Sequence, residues 1–83
     1  MMSSQQLRNS HQKTSVIVYI EELLDDYHRR NIESIMKQME GVTHAHFNAT
    51  QHQLMIVGYD PKRTDSGTIL LRVRRQHLHA TLI

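Results

Sequence analysis

The side chains of this chain that are equipped for chemistry are its seven histidines and the acids near them in sequence. His44-x-His46 has a recognised metal-ligand spacing. On a strand, residues two apart project to one face, so both imidazoles would be offered to the same ion. No carboxylate stands beside them in sequence to complete a ligand set. Asp25 and His28 form a second pair, three residues apart where a helix is expected to begin. The plain reading is that Asp25 caps the helix and His28 is a solvated residue of its first turn.

Much other chemistry is excluded. The 83 residues include no cysteine, so there is no disulfide framework, thiolate metal site or thiol redox centre. There is no glycine-rich phosphate loop, and Ser66-Gly67 reads as an ordinary turn-to-helix dipeptide. No catalytic residue is assigned, and the chain is read as a non-enzyme. The net charge of +2 comes from mixed charges rather than blocks. Lys62, Arg63, Arg72, Arg74 and Arg75 gather on and before a second helix, as a solvated face would. A weak nucleic-acid binder is a third reading, because RNA-recognition domains share the element order given below. Their sheets stack bases on aromatics of the first and third strands. Here only Tyr19 and Tyr59 are available there, which argues against nucleic acid.

The elements that must position these groups are legible from periodicity. Residues 1–14 are polar and read as a flexible tail, and residues 15–83 as one domain. The run SVIVYIE (15–21) is β-branched and reads as a strand. Residues 26–40 read as a helix, with Asp25 or Asp26 as cap, Ile32, Ile35, Met36 and Met39 on one stripe and Gly41 as the stop. VTHAHFN (42–48) alternates, a polar turn follows, and LMIVGY (54–59) completes a hairpin. Asp60-Pro61 ends that strand. Residues 65–76 read as a helix with Ile69, Leu70 and Val73 inward and Thr64 or Asp65 as cap. LHATLI (78–83) reads as a last strand. The order βαββαβ predicts an α+β, ferredoxin-like sandwich: a four-stranded antiparallel sheet of order 4-1-3-2 with both helices on one face. Asp25, His28, His52 and His77 then share one end of the sheet.

Two stretches carry a family resemblance. "NIESIMKQMEGV" resembles the first helix and its Gly-Val exit in heavy-metal-associated (HMA) domains. "VGYDPKRTDSGTILLRVRRQHLHATLI" is similar to that family's Tyr-Asp-Pro strand end, second helix and closing Ala-Thr-Leu. The family occurs in copper chaperones and in the amino-terminal tails of heavy-metal P-type ATPases. Its signature is Met-x-Cys-x-x-Cys before the first helix. Counting back from Gly41, the cysteine positions fall on Asp25 and His28 and the methionine position on Leu23; Leu78 stands at the position before the last strand. The resemblance therefore implies a metal loop without its sulfur, which argues against Cu(I), since soft ions select soft ligands. Asp25 and His28 suit a harder divalent ion such as Zn²⁺, Ni²⁺, Co²⁺ or Cu²⁺, with His77 or His52 as a third ligand. The rival metal site is His44 with His46.

The face of the sheet away from the helices is expected to carry Ile17, Tyr19, Leu54, Ile56 and Ile83, with His44 and His46 at its rim. A one-sided sheet normally turns polar residues outward, so an apolar outer face marks a partner surface. The resulting expectation is a non-catalytic, degenerate HMA-like module for interaction or regulation in heavy-metal homeostasis. It would work beside a metal-transporting P-type ATPase, as that enzyme's amino-terminal soluble domain, or through self-association. The alternative is a binding domain for a harder divalent metal. No signal sequence or membrane span is legible, and a cytoplasmic location is expected.

Overall fold

In the computed structural model, residues 14–83 are described. Strand β1 (Ser15–Ile20) is followed by helix α1 (Asp26–Lys37), strands β2 (Val42–Phe47) and β3 (Leu54–Tyr59), helix α2 (Ser66–Arg74) and strand β4 (Ala80–Leu82). The sheet has the order β2-β3-β1-β4, which is the expected 4-1-3-2 read from the other edge. All three pairings are antiparallel. Of the expected tail, residues 1–13 lie outside the described residues. Thr14 already takes part in the sheet, its carbonyl accepting from the Tyr59 N–H at 3.0 Å.

Alternation along each strand divides the sheet into an inner and an outer face. Val18, Ile20, Ala45, Phe47, Met55, Val57 and Ala80 point inward, where Ile32 and Met36 of α1 and Ile69 and Val73 of α2 close over them. Met39 and Leu70, expected on the same stripes, are half-buried and pack against this core, while Ile35 is half-buried outside it. This core includes no polar or charged side chain among the described residues. Among those residues, no helix is long and apolar enough to cross a membrane.

Both helices begin at aspartate caps. The Asp25 side chain accepts from the His28 N–H and the Asp65 side chain from the Thr68 N–H. Their far ends are shorter than the periodicity suggests. Helix α1 stops at Lys37, where the N–H of Gln38 is shared between the carbonyls of Ser34 and Ile35. Gly41 serves the turn into β2 instead of the helix end. Its φ is +89°, and a Cβ there would stand 2.9 Å from Thr64 Cγ2. Only glycine combines that backbone with that approach.

Strand β4 is also shorter than the expected 78–83. His77 has a φ of 65°, closing the end of α2 in a left-handed conformation that a glycine would more often occupy. The N–H of His79 is then taken by a carboxylate and not by the sheet, so regular pairing starts at Ala80.

Candidate functional site

The loop between β1 and α1 is closed on itself. Asp25 Oδ1 accepts the His28 N–H at 2.9 Å and lies 2.7 Å from His28 Nδ1. The backbone hydrogen bond from His28, then its side-chain bond, hold the Asp25 carboxyl below its ordinary value. Both side chains are largely exposed. The Tyr27 ring stands edge-on to the His28 ring, with centroids 5.5 Å apart. The Arg29 guanidinium donates to the Leu24 carbonyl within the same loop. Leu23 is 84% exposed, so it covers nothing in the core.

A second carboxylate–imidazole pair stands at the same end, and the sequence reading missed it. Glu22 accepts the His79 N–H at 3.0 and 3.2 Å through its two oxygens, and its Oε2 lies 2.7 Å from His79 Nδ1. The His79 side-chain hydrogen bond is the main cause that lowers the Glu22 carboxyl. The same bond, followed by the negative charges of Glu22 and Glu21, raises the His79 imidazole. The pairing of Ile20 with Ala80 could have revealed this contact, because it carries Glu21 and Glu22 up to His79.

His77 does not join Asp25 and His28 as a third ligand. Among the described residues, no three histidine or acidic side chains come together in a group able to hold a metal ion. The left-handed turn at His77 belongs to the end of α2, and His79 is the histidine that meets an acid here. His52 is engaged within its own turn, its Nε2 standing 2.9 Å from the Ala49 carbonyl. No cysteine is present, so this end offers no thiolate donor.

The outer face of the sheet forms the other candidate region. Across it Ile17 pairs with Ile56 and Tyr19 with Leu54, while Ile56 also pairs with His46. Ile17 is 38% exposed, and Tyr19, Leu54 and Ile56 are half-buried by one another. Ile83, just past β4, donates its N–H to the Ile17 carbonyl and is exposed. The Gln53 amide donates to the Tyr19 hydroxyl at 3.3 Å and to the carbonyls of Ile20 and Glu21. This contact joins the apolar face to the loop end, where Tyr19, Leu23, Gln51, His52 and Leu54 help to line an open cleft of about 470 Å³.

At the β2 rim, His44 and His46 lie side by side, with ring centroids 5.7 Å apart and planes 24° from parallel. His44 lies across Gly58, where an added Cβ would come within 2.2 Å of its Cε1. The basic residues on and before α2 are partly committed. Arg63 pairs with Glu40 at 3.0 Å, and the Arg74 Nε–H donates to the Ala80 carbonyl.

No family model matches this sequence, and no curated protein matches it. Among solved structures, the chain is similar to a solution structure of a variant of CopA with copper, from Bacillus subtilis. The TM-score is 0.68 at 22% identity, over 86% of this chain and 92% of that one. At that identity the likeness is one of fold: the chain shares with that protein the ferredoxin-like architecture expected of an HMA-like domain.

Proposed function

We propose that this chain is a non-catalytic interaction module on an HMA-like scaffold, whose metal loop has become a helix cap. Its role would lie in heavy-metal homeostasis, beside or attached to a metal-transporting P-type ATPase. The outer sheet face would be its docking surface for a protein partner, a second copy included. The observation that carries this reading is the loop itself. Where the resembling family places two thiolates, Asp25 spends one oxygen on both the N–H and the ring of His28. The similarity of fold to a CopA variant with copper supports the metal-handling context. The aliphatic pairs Ile17·Ile56 and Tyr19·Leu54 on the face left open by the helices support the interaction role.

The test restores the missing chemistry. Wild-type chain and an Asp25→Cys/His28→Cys variant are each titrated with Cu(I) against a competing chelator. The expected result is that the double variant takes Cu(I) from the chelator while the wild type does not. Retention of Cu(I) by the wild type would overturn the reading of the loop. Failure of the folded variant to bind would show that the scaffold does not present this loop as HMA domains do.

A further inference from the structure

The rim of β2 carries an arrangement that neither the capped loop nor the apolar patch uses. His44 and His46 alternate out of the sheet on an edge strand, and both are exposed. Their rings stand nearly parallel with centroids 5.7 Å apart. The backbone has been shaped around one of them. Pairing skips between Val42, opposite Tyr59, and His44, opposite Gly58. Gly58 is itself buried, because the His44 ring lies on the space a side chain would fill. A Cβ at that position would be 2.5 Å from His44 Nδ1 and 2.9 Å from Nε2. Glycine in the middle of a strand is otherwise unfavourable, and it often marks a close approach of this kind.

We infer that His44 and His46 chelate a divalent transition-metal ion of borderline softness, with Cu²⁺ bound ahead of Ni²⁺ and Zn²⁺. Imidazole nitrogen is a good ligand for all three ions, and the order follows the general affinity series. With metal–nitrogen bonds of about 2.0–2.1 Å, the two coordinating nitrogens must approach to roughly 3 Å. Exposed rings reach that separation by tilting toward each other. Among the described residues no third histidine or acid joins them, so water fills the other positions. The site is therefore open and labile, suited to exchange and not to permanent storage. Gly58 is a positioning residue, because it sets the ring of His44 without touching the ion. This inference stands apart from the reading of the β1–α1 loop, which concerns soft metal.

The test uses the full chain and Cu²⁺ or Ni²⁺ alone, followed by residue-resolved NMR. The paramagnetic ion is expected to broaden His44, His46 and their neighbours Ile56 and Gly58 first. His44→Ala and His46→Ala should each weaken binding by at least the roughly tenfold typical of losing even an outer partner of a metal site. Gly58→Ala should keep both imidazoles and the fold, yet weaken binding by displacing the His44 ring. His28→Ala and His79→Ala should retain the site. Broadening centred on the Asp25–His28 loop, the Glu22–His79 pair or residues 1–13, with His44 and His46 unaffected, would overturn the proposal. Unchanged affinity in the folded His44→Ala and His46→Ala variants would do the same.

Discussion

Strand β3 is apolar on both sides, so neighbouring substitutions along it should have very different costs. Leu54 and Ile56 face outward and are half-buried, whereas Met55 and Val57 face the helices at 0% exposure. Burying an aliphatic side chain fully is worth about 1.5–3 kcal/mol. Replacing the two half-buried residues by serine should therefore cost the fold roughly 2 kcal/mol in total. Truncating the inner pair removes packed volume as well. Met55→Ala should cost about 2–5 kcal/mol and Val57→Ala about 2 more. For a small domain with total stability of about 5–15 kcal/mol, the outer double variant remains folded and the inner one stands at the edge of unfolding. Each kcal/mol lowers Tm by about 4–8 °C in a domain of this size, so thermal melts followed by circular dichroism separate the two cases. An outer pair as damaging as the inner pair would refute the assignment of faces, because a one-residue slip in register exchanges them.

Two further outcomes follow from the loop end. Asp25→Ala should lower Tm more than His28→Ala, because the second substitution keeps the backbone N–H that the cap binds; equal losses would mean that the ion pair, and not the cap, holds the helix end. The Glu22–His79 contact should stabilise the fold mainly at mildly acidic pH. The His79 pKa is raised from 6.5, so its contribution is complete below that value and lost as pH climbs through the folded pKa. The Glu22 pKa is lowered from 4.5, so its contribution is complete above that value and lost as pH falls through the folded pKa. The Tm difference between wild type and Glu22→Gln should thus peak between those two ordinary values, and a difference that grows steadily toward alkaline pH would contradict the pairing.

What the sequence disclosed and what it concealed follow from the range of the contacts. The caps act on N–H groups three residues ahead, so local spacing narrows each to two neighbouring residues, of which the structure selects Asp25 and Asp65. The stripe of Ile32 and Met36 and the alternation of Ala45 with Phe47 likewise mark their inner faces. In LMIVGY, by contrast, every side chain but the glycine is apolar or aromatic, so its own pattern does not fix the outward placing of Leu54 and Ile56, which the burial of Met55 and Val57 and the pairing with β1 and β2 bear out. The Glu22–His79 contact spans 57 positions and has no local signature. His77 could be placed near the loop end by topology, but its left-handed turn had no glycine to announce it. The approach of the His44 ring over Gly58 joins two strands and likewise has no local signature.

The outer sheet face is proposed to dock a second copy of the chain, and association of the chain with itself tests that most directly. Ile17, Tyr19, Leu54 and Ile56 are already partly covered, so completing their burial would gain roughly half of the 1.5–3 kcal/mol of a fully buried aliphatic side chain for each, and Ile83 most of it. Association costs an estimated 4–15 kcal/mol or more, which leaves a weak complex. Sedimentation velocity and NMR line positions, measured from micromolar to millimolar wild-type chain, should show concentration-dependent association with shifts confined to this face. A folded Leu54→Ser/Ile56→Ser variant should remain monomeric throughout. A wild type that stays monomeric, with the outer-face signals unmoved at the highest concentration, would contradict the account.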